Sequence, residues 1–441
     1  MKLGVVSLGC DKATVDSERF VGQLVGHGAV VTSDHLHADV ILVNTCGFID
    51  AAKRESIDAI LEATKLKSHG DVKAVVAVGC LVQRYKRELE EAIPEVDLFL
   101  GFSELHHLVP HLAERGLIED PVTAHPGVRQ FRSYWGDAPH VRYLKISEGC
   151  DHTCAFCAIP LMRGKHRSEP LEGLVREARQ LEAQGAREIN LVAQDLGHYG
   201  RDMGLAGPRL PELLEALLGA TAVPWYRLLY VYSAGLNERL VRLMARERRI
   251  VPYIDMPIQH ASDRMLERMR RPERQRTLRE KLRWLRDAVP DLAIRTTCLV
   301  GFPGETDDDF RDLLAFLEEA QFDRLGAFAY SPQDGTRATR YPDDIPDPVK
   351  RERVEELIEV QRAISAERLA RLVGREVAVL VDRVVDPGEQ GATHVGRVQW
   401  QADDVDGVTH LERAGWAGPG SFVQARLTAS EDYDFRAVAL T

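Results

Sequence analysis

The sequence predicts an α/β protein in three parts: an open parallel α/β domain, a partial TIM-type (β/α)6 barrel and a small C-terminal β-barrel. The first part rests on apolar runs that alternate with helical periodicity in residues 1–115. The second rests on six strand and helix patterns in residues 141–372, and the third on five short strand patterns in residues 373–441. A chain of 441 residues is long enough for three separate cores.

The N-terminal part places a cysteine after each of three predicted buried strands. The strands are Leu3–Leu8, Asp39–Asn44 and Val72–Val78, and helical segments are Val15–Gly26, Asp50–Lys65 and Gln83–Ala92. The cysteines that follow the strands are Cys10, Cys46 and Cys80. Because ligands bind beyond the carboxyl ends of parallel strands, we expect these thiols to converge on one cluster site. Three buried core cysteines are the alternative.

The central part reads as six right-handed β/α units, which give a partial barrel. Its predicted strands are Val141–Ser147, Glu188–Gln194, Tyr226–Tyr232, Tyr253–Ile258, Ala293–Val300 and Leu325–Tyr330. The loop that follows the first strand lies at the carboxyl mouth, where barrel enzymes carry their chemistry. Cys298 falls inside the fifth strand, and we interpret it as a core residue.

That loop holds Cys150, Cys154 and Cys157 in the order C-x-x-x-C-x-x-C. Iron–sulfur cubanes normally take four cysteines, so three thiolates predict a [4Fe–4S] cluster with one iron open to a further ligand. A zinc site that adds His152 is the alternative, although His152 lies inside the loop and no second C-x-x-C follows. A disulfide framework is disfavoured in a long chain with seven cysteines and no secretory signal.

Charge and composition indicate which classes of binding partner this protein favours. The formal net charge is −11, and Arg375–Arg436 holds six arginines against eleven acidic residues. Since nucleic-acid binding depends on phosphate neutralisation, an acidic β-barrel is a poor RNA clamp and a better dock for a basic protein. No apolar run reaches the ~18 residues of a membrane span, and we expect a cytoplasmic protein. Residues 116–140, rich in Pro and Gly, are predicted to be a linker.

The whole chain resembles the methylthiotransferases of the radical SAM superfamily, which join an N-terminal cluster domain, a radical SAM barrel and a C-terminal TRAM domain. The resemblance lies in LGCDKATVDSE at Leu8–Glu18, CAFCAIPLMRGKHRS at Cys154–Ser168, RTTCLVGFPGET at Arg295–Thr306 and YSPQDGT at Tyr330–Thr336. Within that group the chain is most similar to members that methylthiolate an aspartate of small-subunit ribosomal protein number twelve. The segment GRVQWQADDVDG departs from the family, because it lacks the usual small and Pro residues.

The resemblance implies two [4Fe–4S] clusters and S-adenosylmethionine (SAM). Cys150, Cys154 and Cys157 would hold the cluster that cleaves SAM, and the three strand-end cysteines would hold an auxiliary cluster. SAM would serve both as methyl donor and as source of the 5′-deoxyadenosyl radical, and the methylthio group would go to the aspartate β-carbon. The expected SAM contacts are Phe156, Gln194 and Gly301.

The implied partners are a basic ribosomal protein as substrate and an electron donor such as flavodoxin or ferredoxin. We expect a monomer with no membrane partner and no direct nucleic-acid substrate. Two other functions stay open: a tRNA adenosine methylthiotransferase, disfavoured by the acidic C-terminal barrel, and an iron–sulfur electron-transfer protein without radical chemistry. The second would need neither SAM nor a full barrel.

Overall fold

The computed structural model describes residues 1–118, 132–133, 138–204, 207, 209–386 and 391–440. The chain forms two compact units. The first comprises Met1–Asp137 and Ala158–Lys165, and the second comprises Ala138–Cys157 and His166–Thr441. Most of the predicted linker at 116–140 lies outside the described residues, and the two predicted barrels share the second unit.

The first unit is built on a parallel sheet. Its strands are β1 (Lys2–Ser7), β2 (Val30–Val31), β3 (Val40–Thr45), β4 (Ala74–Gly79) and β5 (Leu98–Leu100), and its helices are α1 (Asp11–Val25), α2 (Asp50–His69), α3 (Cys80–Ala92), α4 (Leu108–Glu114) and α5 (Ile159–Arg163). The sheet order is β2-β1-β3-β4-β5, and all its pairs are parallel. The three predicted strands are confirmed, whereas β2 and β5 are too short to show a period.

Helices cover both faces of this sheet. Strands β3 and β4 are buried at every position, as expected for central parallel strands. Leu42 belongs to the same core cluster as Phe20 of α1, while its neighbour Val43 belongs to the cluster that contains Ile60 of α2. The continuous apolar runs in the sequence therefore reflect burial on two faces.

The second unit begins with the predicted partial barrel. Its strands are β6 (Val141–Lys145), β7 (Ser147–Glu148), β8 (Arg167–Ser168), β9 (Glu188–Val192), β10 (Trp225–Leu228), β11 (Ile250–Asp255), β12 (Ala293–Val300) and β13 (Arg324–Ala329). Its helices are α6 (Leu171–Ala183), α7 (Leu210–Ala220), α8 (Glu238–Arg246), α9 (Asp263–Arg268), α10 (Gln275–Ala288), α11 (Asp307–Ala320) and α12 (Asp347–Ala370). Six strands form one parallel sheet in the order β13-β12-β11-β10-β9-β6, while β7 and β8 pair separately.

The sheet remains open at β13, as a partial barrel requires. Phe328 on this edge strand is 50% exposed, whereas Cys298 on the neighbouring β12 is completely buried. Cys298 belongs to the main core cluster, which confirms its interpretation as a core residue.

The C-terminal part is a closed five-stranded barrel. Its strands are β14 (Glu376–Val384), β15 (His394–Arg397), β16 (Thr409–Glu412), β17 (Phe422–Ser430) and β18 (Phe435–Ala439). They close in the order β14-β15-β16-β18-β17, in which only β16 and β18 run parallel. All five predicted strands are present.

A buried ion-pair network joins the closed barrel to the N-terminal ends of the parallel strands. Glu188, the first residue of β9, lies 2.7 Å from Arg227 Nε through Oε1 and 2.7 Å from Arg397 Nη1 through Oε2. Arg397 also contacts Asp382, whose other oxygen lies 3.0 Å from His140 Nε2. Burial opposes the charge of Glu188, but the two arginines outweigh it and lower the pKa of this carboxyl.

Some of the acidic residues of the closed barrel, among them Asp382, are thus directed inward. The Asp406 side chain is fully buried, with Oδ1 3.7 Å from Arg295 Nε and 3.8 Å from Arg324 Nε. Asp406 lies in the segment GRVQWQADDVDG. The acidic count of this barrel therefore overstates the negative charge that it shows to a partner.

The network predicts a large stability effect. Glu188→Gln leaves two buried arginines without their shared carboxylate, and removing one partner of a buried pair costs about 3–5 kcal/mol. Glu376→Gln is the matched control, because the Glu376–Arg426 pair is exposed on both sides and such pairs contribute about 0–1 kcal/mol. Urea unfolding checks both, and equal midpoints for the two variants would contradict the network's role.

Among the described residues, no helix combines the length and the apolar character that crossing a membrane requires.

Candidate metal and cofactor sites

The strand-end cysteines follow three neighbouring strands of the first unit. Strands β1, β3 and β4 are adjacent in the sheet, and each runs in the same direction. Cys46 comes directly after β3, Cys80 begins α3 after β4, and Cys10 precedes α1. The structure thus brings all three to one edge of the sheet, as the sequence predicts.

Tight turns bring these cysteines together. Gly9 has a φ of 105°, and a Cβ at this position would lie 3.6 Å from Cys46 Sγ. Gly79 has a φ of 103°, and a Cβ there would come within 2.5 Å of the Thr45 carbonyl oxygen. Positive φ and close backbone approach both favour glycine, so these glycines allow the loops after β1, β3 and β4 to pack together.

The surroundings of Cys46 and Cys80 contain groups that shift the pKa values of these thiols in opposite directions. Burial raises the pKa of Cys46 and raises the pKa of Cys80 to about 11, and the negative potential of Cys10 adds to both shifts. Arg163 acts in the opposite direction on both thiols. Its side chain is 2% exposed, donates to Asp16 at 2.5 Å and lies over the Phe102 ring. Cys46 and Cys80 therefore share a fixed cation, which the sequence did not reveal.

The loop from Cys150 to Cys157, the three-cysteine loop, belongs to the second unit and follows β6 and β7. Its backbone is anchored on both sides, because Ala155 N donates to Met269 O at 2.9 Å and Ala155 O accepts from Ala338 N at 2.8 Å. The loop position at the carboxyl mouth of the parallel strands agrees with the prediction.

Two side chains, of which Arg271 is buried, adjoin the loop thiols. Arg271 Nη1 donates to Cys154 Sγ at 3.7 Å, and the Tyr232 hydroxyl lies 4.0 Å from the same sulfur. Burial raises the pKa of Tyr232, and Cys154, Cys157 and Cys150 raise it further, so all three thiols lie within electrostatic reach of this ring. Burial also raises the pKa of Cys150 to about 11.

Arg271 is held in place as a cation. Its guanidinium lies 4.1 Å from the Tyr232 ring centroid, and Nε lies 3.1 Å from Glu273 Oε2. Burial works against its charge, yet Tyr232, Glu273 and Cys154 together raise its pKa. Arg271 therefore supplies positive charge to the three-cysteine loop, as Arg163 does to the strand-end cysteines.

His152 is directed at the barrel wall. Its Nε2 lies 2.8 Å from Asp195 Oδ2, and its ring stacks on Tyr232 at 4.3 Å. Burial would raise the pKa of Asp195, but His152 and His198 lower it, while burial lowers the pKa of His198 to about 4. Hydrogen bonding with Asp195 therefore accounts for one ring nitrogen of His152.

The three residues that we expect to contact SAM differ in the partners that they already have. Gln194 Nε2 donates to Glu148 Oε1 at 3.4 Å, while its buried Oε1 has no hydrogen-bond partner in the described residues. Phe156 packs edge-on against Phe302 with ring centroids 6.4 Å apart. Gln194 thus offers an unused acceptor, whereas Phe156 already has an aromatic neighbour.

Gly301 is explained largely by packing. Its φ is 70°, and a Cβ there would lie 2.4 Å from Lys350 Cγ. Its N–H donates to Glu305 Oε2 at 2.9 Å. The main-chain donor is therefore already used, which leaves its carbonyl group for contact with a ligand.

The comparisons with known proteins follow this three-part division. Residues 2–101 match the family model described as uncharacterized protein family UPF0004, residues 144–317 match the radical SAM superfamily, and residues 373–440 match the TRAM domain. A solved structure of the radical SAM methyltransferase TsrM from Kitasatospora setae has a TM-score of 0.55 at 16% identity, covering 74% of this chain and 72% of TsrM. It supports the fold.

The relatives that align over almost the whole chain carry the same name. The ribosomal protein uS12 methylthiotransferase RimO of Desulforudis audaxviator is 45% identical to this chain, over 100% of this chain and 97% of that protein. The protein of the same name from Geobacter sulfurreducens is 43% identical, over 98% of this chain and 97% of that protein. The relative of the same name from Aquifex aeolicus is 41% identical, over 98% of this chain and 96% of that protein. The fold and the cysteine pattern define a radical SAM methylthiotransferase. The chain belongs to the RimO family.

Arg271 should raise the reduction potential of a cluster bound next to Cys154. Arg271→Gln removes a buried cation beside Cys154, an expected cluster ligand, so we expect the reduction potential of the reconstituted cluster to fall by tens of millivolts, where about 59 mV is a tenfold change for one electron. Redox titration followed by electron paramagnetic resonance measures this.

Arg271→Lys should restore most of the potential, because it keeps the charge. Arg268→Gln is the matched control, since Arg268 donates to the Pro303 carbonyl and lies over Tyr341. An unchanged potential in Arg271→Gln, or an equal fall in Arg268→Gln, would show that Arg271 does not act on the cluster.

Proposed function

We propose that this enzyme methylthiolates the β-carbon of an aspartate in ribosomal protein uS12, with SAM as both methyl donor and radical source. The observation that carries the proposal is the presence of two separate groups of three cysteines, each placed after strands of a parallel sheet. SAM cleavage alone requires one such group. The substrate comes from the names of the full-length relatives.

The two groups fit two [4Fe–4S] clusters. The three-cysteine loop would hold the cluster that binds SAM, and the strand-end cysteines would hold the auxiliary cluster. In each group, three thiols leave one iron of a cubane without a protein ligand. When bound, these clusters supply the electron for SAM cleavage and the site for the sulfur that is transferred.

The chain prepares each group for a charged cofactor. Because burial raises the pKa of Cys80 and Cys150 to about 11, the free thiols are protonated at neutral pH and must lose protons when they bind iron. Arg163 and Arg271 are already positioned as cations beside the two groups. They offset the negative charge that the thiolates bring to each group.

Of the three residues expected to contact SAM, Gln194 has the clearest means of forming a hydrogen bond to it. Its unpaired buried Oε1 is an acceptor that a ligand ammonium or hydroxyl group can satisfy, and burying an acceptor without a partner is costly. We further assign Phe156 to an apolar contact and the Gly301 carbonyl to a backbone contact. Both are consistent with positions at the carboxyl ends of the strands.

The remaining partners follow from the substrate. A ribosomal protein is basic and cytoplasmic, so we place the enzyme in the cytoplasm, as a monomer supplied with electrons by a flavodoxin or ferredoxin. The inward direction of Asp382 and Asp406 means that docking of the substrate depends on the other acidic residues of the closed barrel.

The test is an anaerobic assay of the reconstituted enzyme with SAM, sulfide and a reductant. One tube contains a uS12 peptide, a second contains the same peptide with asparagine in place of the target aspartate, and a third contains unmodified tRNA. We expect the mass gain of one methylthio group in place of one hydrogen, on the aspartate peptide alone. Mass spectrometry of the fragments locates the modified residue.

Modification of the tRNA alone would replace the proposed substrate by an adenosine. SAM cleavage with no modification of any substrate would leave a radical enzyme of another specificity. Cluster reduction without SAM cleavage would favour the electron-transfer alternative.

A further inference from the structure

Asp195 connects the loops that follow neighbouring strands of the second unit. It comes after β9, the middle strand of the run β10-β9-β6 in the parallel sheet, and its side chain is 2% exposed. Oδ2 lies 2.8 Å from Nε2 of His152, in the three-cysteine loop that follows β6. Oδ1 accepts from the backbone N–H of Tyr232, which follows β10, at 3.3 Å. One buried carboxylate therefore holds segments that follow both flanking strands.

Both oxygens of this carboxylate are engaged. Oδ1 also accepts from the Gly197 N–H at 2.9 Å, which caps the short turn after Asp195. Burial would raise the pKa of Asp195, but His152 and His198 lower it, so the group is ionised and can only accept hydrogen bonds. His152 therefore donates from Nε2, and its ring has one orientation against the wall of the barrel.

His152 passes this constraint to a cysteine. Burial raises the pKa of Cys150, and the backbone N–H of His152 opposes the shift by donating a hydrogen bond to the sulfur. The His152 ring is held twice, since it donates to Asp195 and stacks on the Tyr232 ring with the two planes 7° apart. Fixing the ring thus fixes the backbone N–H that meets the Cys150 sulfur.

Tyr232 carries the constraint to a second cysteine. Its backbone N–H donates to Asp195, while its hydroxyl group lies 4.0 Å from Cys154 Sγ. Arg271, which donates to the same sulfur, lies 4.1 Å from the centroid of the Tyr232 ring. Through His152 and Tyr232, Asp195 thus acts on the surroundings of two of the three loop thiols.

We propose that Asp195 is a positioning residue, which fixes the three-cysteine loop in its ligand-binding shape before iron arrives. The inference rests on the proposed function, because it takes this loop as the site of the SAM-cleaving cluster. A loop that is already ordered loses less conformational freedom when its ligand binds. Replacing residues that orient metal ligands typically lowers metal affinity about 10- to 100-fold. Asp195 therefore contributes to cluster binding without being a ligand.

Hydrogen–deuterium exchange of the full-length, iron-free protein tests the proposal without any cluster. Asp195→Ala removes the acceptor of all three hydrogen bonds, so we expect the amides of residues 150–157 to exchange at least about tenfold faster than in the wild-type protein. Asp323→Ala is the matched control. Asp323 also accepts from a backbone N–H, that of Ile294, but it precedes β13 at the opposite end of the strands. It should leave exchange of the loop unchanged.

Two further variants separate positioning from general destabilisation. Asp195→Asn keeps Oδ1 as the acceptor of the two backbone N–H groups, so its loop should be better protected than the loop of Asp195→Ala. His152→Ala should speed exchange of the loop as Asp195→Ala does. The double variant should add little to either single effect, because residues that act through each other are not additive.

Release of iron to a chelator gives a second readout. The background is the variant whose three strand-end cysteines are alanine, so that only iron on the three-cysteine loop is observed. We expect Asp195→Ala to speed this release about 10- to 100-fold. In the complementary background, with alanine at the three loop cysteines, Asp195→Ala should leave iron release at its original rate.

Unchanged loop exchange in Asp195→Ala would overturn the proposal, and so would fully additive effects of Asp195→Ala and His152→Ala. Absence of iron from the three-cysteine loop of the wild-type protein would instead contradict the proposed function. The exchange measurement needs no iron, so it decides the role of Asp195 in either case.

Discussion

The structure depends on one constraint, the common direction of neighbouring parallel strands. In the first unit this direction brings Cys46 and Cys80, which follow β3 and β4, to one edge of a sheet. In the second unit it places the three-cysteine loop at the carboxyl mouth of six strands. In the first unit, cysteines far apart in the sequence thus become one group that can hold metal, and in both units the group lies at the edge of a parallel sheet.

Burial creates the second requirement, which is charge compensation. Thiols in a dry site resist ionisation, as the raised pKa of Cys80 and of Cys150 shows. Each group has a buried arginine nearby, Arg163 or Arg271, that acts against this cost. The same logic operates at the other end of the barrel, where Glu188 joins two arginines and fixes the closed barrel to the parallel strands.

Periodicity predicted the longer strands, and motif spacing predicted the two groups of cysteines, because both are local properties of the sequence. Strand β12 was predicted with its observed ends, and Cys298 within it is a core residue. The compensating residues were not predictable, since Arg271 contacts Cys154 across 117 positions and no period encodes such a pair. Gly301 shows the opposite difficulty: its motif suggested a ligand, yet contact with Lys350 explains the glycine.

Iron analysis with Mössbauer spectroscopy tests the central claim most directly, because it counts clusters independently of any substrate. In one variant Cys150, Cys154 and Cys157 are replaced by alanine, and in a second variant the three strand-end cysteines are replaced. The account predicts that each variant keeps about half of the wild-type iron as a cubane cluster. Loss of all iron in either variant, or wild-type iron content in either, would contradict two independent three-cysteine sites.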